Sequence, residues 1–252
     1  GWPDVHKRTL LAVQDQFSVD QIHKLSSNVK TFIVPESSKT YGFYSKGYRK
    51  LTIKRVQILV ELLKTGHGVV MFEGDAVWLR NIMQDSNIFG QHRKHDFALY
   101  RDGPGGQNIG AGLMSMKGNS KGVLKIWTSV LEELTRDMQR HLKQPDTVNY
   151  EPKNGRDLHE QEIFKKLLPT MIKSGELKTI DLDRCLYASG LWYMAEYKKE
   201  YKARCSNQFS YPSVLNINYI VGNKEKEQRA IASKHWFYGK GKCLNWEKTL
   251  AA

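Results

Sequence analysis

Cysteine is scarce in this sequence of 252 residues, which contains only Cys185, Cys205 and Cys243. Three cysteines exclude a zinc-finger spacing, and an odd number argues against a dense disulfide framework. One disulfide is still possible, and we expect it between Cys205 and Cys243. The alternative is three buried thiols.

Long apolar segments are also missing. No run approaches about 18 uninterrupted apolar residues, so the sequence predicts no membrane span. Gly1-Trp2-Pro3 does not lead into the apolar core of a signal peptide. We therefore expect any membrane anchor or signal of the native protein to lie outside this sequence.

Several catalytic signatures are absent. The sequence contains no His-Glu-x-x-His, no Gly-x-Ser-x-Gly turn and no Gly-x-x-x-x-Gly-Lys-Ser/Thr loop. These absences argue against a zinc hydrolase, an α/β-hydrolase and a P-loop NTPase. The glycines of residues 103–106 are not followed directly by a helix pattern, so they do not form a dinucleotide-binding fingerprint.

Acidic residues are outnumbered, because 39 Lys and Arg stand against 26 Asp and Glu and give a net charge of +13. Such a charge favours an anionic partner: a nucleic acid, a nucleotide, an acidic glycan or a membrane surface. The densest basic group is interleaved with tyrosines and comprises Lys46, Arg49, Lys50, Lys54 and Arg55. This mixture suits nucleic acid and a nucleotide-diphosphate pocket alike, and a solvated helix start is the alternative.

Apolar runs and helical periods alternate along the chain. Residues 9–13 and 29–34 are predicted as strands on either side of one or two helical turns, and residues 51–65 as an amphipathic helix. We expect strand 69–72 to lie parallel in the same sheet after a right-handed crossover. Further strands are predicted at 97–100, 109–116, 179–182 and 214–221, and further helices at 123–138, 158–168 (ended by Pro169) and 223–233. No repeat or low-complexity linker interrupts the pattern, so we predict one α/β domain over residues 1–252.

Two carboxylates, Glu73 and Asp75, directly follow the apolar strand 69–72. Side chains alternate with period two on extended backbone, so both can point the same way. Ligands bind at the carboxyl ends of strands in open α/β sheets, and paired carboxylates there suit a divalent cation beside phosphates. Gly74 would let a phosphate approach the backbone. The alternative is a pair of solvated carboxylates in a loop.

The segment 55–81 resembles the signature of the nucleotide-diphospho-sugar transferase domain, which includes glycosyltransferase family 77 and has the GT-A fold. The residues in register are Arg55, Gly66, Glu73, Asp75, Val77, Trp78, Leu79 and Arg80. Four later segments, 108–112, 159–161, 182–190 and 215–236, resemble further motifs of this family in the family's order. The resemblance covers residues 55–236.

The resemblance implies a Rossmann-like central mixed sheet flanked by helices. Its nucleotide-binding part would comprise about residues 1–82, and its acceptor and sugar part about 83–252. The implied reaction moves a sugar from a UDP-sugar to an acceptor hydroxyl, with retention of configuration and with Mn²⁺ or Mg²⁺. The acceptor would be a glycan or glycoprotein in the Golgi or secretory-pathway lumen, with the cytoplasm as alternative. Nucleic acid is not an expected partner, and a membrane is expected only through a segment outside this sequence.

The resemblance also implies roles for individual residues. Asp75 would hold the metal with Glu73 and Asn216, and Glu160 would be the nucleophile or would stabilise the oxocarbenium-like state. The other implied site residues are Gln14 and Asp15 for the nucleoside, Arg55 and Lys226 for the diphosphate, Asn108 and Gln161 for the donor sugar, and Asn218 and Gly222 from the last motif. Without the resemblance, Lys226 belongs to a solvated helix face and Glu160 is a helix-start carboxylate.

Three positions depart from the family pattern. Glu73 stands at the first Asp of Asp-x-Asp, Asn216 stands where the family has a histidine, and Glu160 replaces an Asp. An amide oxygen is a weaker donor to Mn²⁺ than imidazole. The alternatives are therefore an inactive, degenerate transferase, or a basic module that binds a polyanion with a steep salt dependence.

Overall fold

The computed structural model describes residues 8–13, 15–34, 45–80, 82, 85–89, 93–139, 159–205, 212–220, 222–233 and 235. The strands are β1 (Leu10–Val13), β2 (Lys30–Ile33), β3 (Val69–Phe72), β4 (Ala76–Trp78), β5 (Phe97–Asp102), β6 (Asn108–Met116), β7 (Thr179–Asp181), β8 (Tyr187–Ala188) and β9 (Val214–Asn216). The α-helices are α1 (Gln16–Leu25), α2 (Lys46–Lys64), α3 (Ser86–Phe89), α4 (Lys121–Gln139), α5 (Glu160–Lys173), α6 (Ala195–Cys205) and α7 (Asn223–Ala232). Short 3-10 helices cover Pro104–Gly106 and Gly190–Tyr193.

This succession of helices and strands confirms the α/β prediction. None of the described helices is both long and apolar enough to cross a membrane. The chain divides into two compact units, Gly1–Val69 with Lys117–Lys178, and Val70–Met116 with Thr179–Ala252. The single domain over residues 1–252 stays a prediction.

In the first unit, β1 and β2 form a parallel pair joined through α1. Asp15 caps α1, because its carboxylate accepts a hydrogen bond of 2.7 Å from Ser18 N. This backbone hydrogen bond lowers the pKa of Asp15. The cap explains why α1 runs from Gln16 to Leu25 rather than for the one or two turns predicted.

Helices α2, α4 and α5 form the core of the first unit, where Trp127 stacks on Phe164 with ring centroids 5.3 Å apart. Helix α2 begins at Lys46, earlier than the predicted residue 51, after the N-cap Ser45. Its first turn is not solvated, since Lys46 and Arg49 are buried, and Arg49 forms an ion pair with Asp137 of α4. Polar residues therefore belong to the packed face of this helix.

The predicted end of α5 at residue 168 is wrong, because Pro169 lies inside the helix. Proline removes one backbone hydrogen bond and crowds the preceding turn. However, Ile163, Phe164, Leu168 and Met171 are all buried, and this packed face continues past the proline. Tertiary packing thus outweighs the local cost.

The second unit contains a four-stranded sheet of order β3-β6-β5-β7 and a three-stranded sheet of order β4-β9-β8. Strand β5 is antiparallel to β6 and parallel to β7, while β9 is antiparallel to β4 and parallel to β8. The expectation that strand 69–72 joins the sheet of β2 is wrong for the described strands, since β3 pairs with β6. Strand β6 is nine residues long and buried at all but its first position, so both its edges need partners.

A disulfide joins Cys185, just before β8, to Cys205 at the end of α6. The expected pair Cys205–Cys243 is therefore wrong. The Cα atoms of the bridged residues are 5.6 Å apart, and the Tyr201 hydroxyl of α6 donates to the carbonyl oxygen of Cys185. This hydrogen bond holds α6 against the turn that carries Cys185.

Candidate functional site

The two carboxylates predicted to bind a metal lie in the tight turn that follows β3. Ala76 N donates a hydrogen bond of 3.0 Å to Glu73 O, which closes a β-turn with Gly74 and Asp75 at its centre. The predicted extended backbone between Glu73 and Asp75 is therefore wrong, although both residues do lie at the end of the strand. Gly74 is exposed, and a Cβ there would meet no atom within 4 Å.

Strand pairing brings Asn216 beside this turn. Asn216 lies opposite Ala76 in the antiparallel pair of β4 and β9, and Ile217 N donates to Asp75 O at 2.9 Å. Residues more than 140 positions apart in sequence thus become neighbours through backbone hydrogen bonds. This contact brings together two of the three predicted metal-binding residues.

Gly112 of β6 lies beside Glu73, the third predicted metal-binding residue. Glu73 N donates to Gly112 O at 3.1 Å, and a Cβ built on Gly112 would overlap Asn216 Nδ2 and lie 3.6 Å from Glu73 Oε2. Any larger residue would therefore displace the Asn216 side chain and come into van der Waals contact with Glu73. Gly112 is therefore the position at which the Asn216 side chain packs directly against the backbone of β6.

Two oxygen atoms at this site are buried without a hydrogen-bond partner in the described part of the chain: Asp75 Oδ1 and Asn216 Oδ1. Leaving a buried polar atom unpaired costs about 1–3 kcal/mol, so such atoms are uncommon. Carboxylate and amide oxygens are the donors that Mg²⁺ and similar hard cations take, so these residues fit such an ion. Among the residues described, no three His, Cys, Asp or Glu side chains form a metal-binding group, so the Asn216 amide is needed as a donor.

Lys226 reaches the same turn from helix α7. Its Nζ lies 2.5 Å from Asp75 Oδ2, and the two side chains are 30% and 18% exposed. Gly222 is the N-cap of α7 with φ of 102°, a backbone conformation that favours glycine. The spacing from Gly222 therefore aims Lys226 at the acidic turn, whereas Lys224 is exposed. The alternative of a solvated lysine is wrong for Lys226.

Asn218 is held by its neighbours in the second unit. Its Nδ2 donates to Asp102 Oδ2 at 3.0 Å, and its Oδ1 accepts from Gly190 N at 2.5 Å. Tyr219 has a φ of 61° and donates its hydroxyl to Asp102 Oδ1 at 3.0 Å; burial, followed by the charge of Asp102, raises the pKa of Tyr219. The chain segment after Asn216 is thus fixed, because the Asn218 side chain links it to Asp102 and to the backbone of Gly190.

Gly190 contacts Asn218 directly, whereas Asn108 lies opposite Asp102, the partner of Asn218. A Cβ on Gly190 would overlap the carbonyl oxygen of Asn218, which explains the glycine that closes the motif at 182–190. Asn108 pairs with Asp102 across β5 and β6 and is exposed. Its predicted contact with the donor sugar stays a prediction.

Glu160, the predicted catalytic carboxylate, lies in the first unit at the start of α5 and is 2% exposed. Arg55 of α2 forms an ion pair with its Oε1, a contact that the sequence did not predict. Its Oε2 lies 3.8 Å from His159 Nδ1 and has no hydrogen-bond partner among the described residues. The next residue, Gln161, is half-buried.

The remaining predicted residues concern the nucleoside. Gln14 lies outside the described residues. Asp15 is exposed and caps α1, so its described contact is structural, and its role at the nucleoside stays a prediction. Asp102 and Tyr219 were not predicted as part of this site; the sequence signal for Asp102 is its place at the end of an apolar strand beside a glycine-rich turn.

Three solved glycosyltransferase structures resemble the chain weakly. One acts in glycosylation of the major capsid of PBCV-1 (12% identity, 88% of this chain and 98% of that chain, TM-score 0.46). GlyE of Streptococcus pneumoniae has 14% identity over 96% of this chain and 54% of that chain, with a TM-score of 0.46. Mouse xyloside xylosyltransferase 1 has 12% identity over 83% of each chain, with a TM-score of 0.45. No curated protein sequence matches the chain.

The family assignment comes from the sequence instead. The model of the family described as nucleotide-diphospho-sugar transferase matches residues 4–230, which is most of the chain. This match confirms the resemblance found in the motifs, and with it the GT-A type of α/β fold and a nucleotide-sugar donor. The chain belongs to the nucleotide-diphospho-sugar transferase family and is a glycosyltransferase.

Proposed function

We propose that this glycosyltransferase moves a sugar from a UDP-sugar to a hydroxyl of a glycan or glycoprotein, with retention of configuration and with Mn²⁺ or Mg²⁺. One observation carries the metal dependence: Asp75 Oδ1 and Asn216 Oδ1 are both buried and lack hydrogen-bond partners within the described ranges, at the point where the backbone of Asp75 meets that of Ile217. A divalent cation would satisfy both atoms. Glu73, which lies beside Asn216 at Gly112, would assist.

The hard part of sugar transfer is the departure of the diphosphate, whose negative charge grows as the bond to the sugar breaks. A bound divalent cation supplies electrostatic stabilisation of that charge. Lys226 adds an ammonium group at the same turn. An interaction that strengthens as charge develops lowers the barrier more than it tightens substrate binding. Lys226 therefore assists departure, and Asp75 and Asn216 hold the cation.

The retaining outcome rests on the family and on Glu160. We propose that this carboxylate is the nucleophile or stabilises the oxocarbenium-like state, with Gln161, the next residue, holding the donor sugar. Arg55 contacts one of its oxygens and so places a positive charge directly beside this buried carboxylate.

The disulfide supports the proposed location in the secretory-pathway lumen. Cys185 and Cys205 are buried and bridged. Structural disulfides form and persist in oxidising compartments and are rare in the cytosol. We therefore propose that the protein acts in the Golgi or a related lumen.

The test is a screen of UDP- and GDP-sugars with Mn²⁺ that reads the release of nucleoside diphosphate, together with the variant Asp75→Asn. We expect release from a UDP-sugar, and loss of at least about 100-fold in the variant, because a positioned charge of this kind contributes that much or more to catalysis. Asp181→Asn is the matched control, since Asp181 also ends a strand but is paired with Arg101 at 2.8 Å on the surface. Full turnover in Asp75→Asn, or no release from any sugar nucleotide, would contradict the proposal.

A further inference from the structure

We propose that Lys226 and the divalent cation compete for Asp75, and that a nucleoside diphosphate ends the competition by drawing the ammonium away. Metal and nucleotide would then bind with positive coupling, and Lys226 would be the residue that transmits it. This inference rests on the proposed function and names the regulation of that same site.

The contact between Lys226 and Asp75 is direct. The ammonium nitrogen lies 2.5 Å from Asp75 Oδ2. With side-chain exposures of 30% and 18%, the pair is partly shielded from the solvent and salt that weaken exposed ion pairs. One of the two carboxylate oxygens is thus engaged, while Oδ1 is the buried oxygen without a partner in the described parts of the chain.

A cation held by Oδ1 and by the Asn216 amide would face the ammonium across a single carboxylate group. Like charges at so short a distance repel strongly even when the surroundings are partly polar. The carboxylate also carries one negative charge, which the ammonium already balances. The divalent cation must therefore bind against Lys226 or displace it.

A nucleoside diphosphate offers Lys226 a better acceptor. Phosphate oxygens carry more negative charge than one carboxylate and form strong charge-assisted hydrogen bonds. A lysine ammonium sits on a flexible four-carbon stem with three rotatable donors, so it can exchange partners while α7 stays in place. Transfer of the ammonium to the diphosphate would leave both oxygens of Asp75 to the cation, and linkage makes the effect reciprocal.

The experiment measures Mn²⁺ affinity by calorimetry and by electron paramagnetic resonance, with and without UDP. It compares the full chain with Lys226→Met and Lys224→Met. Without UDP, we expect Lys226→Met to tighten Mn²⁺ binding about fivefold, the value of a partly shielded ion pair. Lys224→Met removes the same charge from an exposed position and should change the affinity less than about twofold. With saturating UDP, the advantage of Lys226→Met should vanish or reverse.

Two results would overturn the competition. One is an equal effect of the two variants without UDP. The other is the same tightening in Lys226→Met with and without UDP, which would make the ion pair a permanent structural contact. Lys226→Gln is the second neutral variant, and thermal unfolding checks that each protein is folded. Failure of the proposed function is seen separately, as absence of UDP binding and of nucleoside diphosphate release in the unmodified protein.

Discussion

The disulfide between Cys185 and Cys205 should stabilise the protein by a free energy that follows from the length of the loop it closes. The bridge closes a loop of 20 residues, and the chain-entropy estimate for such a loop is about 3 kcal/mol at 25 °C. Removing both cysteines in a Cys185→Ala/Cys205→Ala variant should therefore lower the unfolding free energy of the second unit by about this amount. For a chain of this length, that corresponds to a fall in Tm of roughly 10 °C.

The measurement is thermal and urea unfolding followed by circular dichroism, with and without reductant. Reduced protein and the double variant should unfold at the same midpoint, below that of the oxidised protein. Cys243→Ala is the matched control, because it removes a cysteine and leaves the bridge intact. A titration of thiols in denaturant should find one thiol in the unmodified protein and none in the control. Three thiols, or coincident midpoints in all samples, would refute the reasoning.

Two further predictions concern single residues. Gly112→Ala should weaken Mn²⁺ binding in the absence of nucleotide by about tenfold, because the new methyl would overlap Asn216 and shift a metal-binding group. Gly74→Ala has open space and, with no phosphate present to approach its backbone, is the control that calorimetry should find nearly unchanged. Burial, followed by the charge of Lys198, lowers the pKa of His235 to about 4. Because the unfolded ring titrates near about 6.5, stability from this residue is present above that pH and is lost as the pH falls towards about 4. Urea midpoints at about pH 7 and about pH 5 should differ less in His235→Gln, and an equal difference would contradict this.

The sequence predicted elements whose signal is local. Strand β3 coincides with the predicted residues 69–72, since a short apolar run ended by polar residues is by itself a signal of a strand. The apolar positions of α4 repeat over five turns, and all of them except the half-buried Leu131 are buried in the structure. The resemblance singled out Asp75 for a metal and Lys226 for a diphosphate, and the structure places these two side chains in contact, while their roles stay predictions.

What the sequence did not predict depends on tertiary contacts. Three residues are enough for β4 because β9 supplies its hydrogen bonds, and no pattern in so short a segment indicates a strand. Helix α6 has little apolar periodicity beyond Tyr197, Tyr201 and Cys205, and a disulfide and one tyrosine hydrogen bond hold it. The pairing of Arg55 with Glu160 joins two motifs that are about 100 positions apart, so neither motif alone indicates it.

Each of the two units consists of two separate segments of the chain, and this limits where the protein can be truncated. The chain passes from one unit to the other after Val69, after Met116 and after Lys178. Helices α2 and α4 of the first unit pack together although the first half of the second unit lies between them in sequence. No single cut therefore releases an intact unit, and a truncation at residue 116 would leave both units incomplete. During synthesis, the three-helix core of the first unit cannot form until α5 has left the ribosome. Resistance of the nascent chain to protease should therefore appear only after α5 has been synthesised.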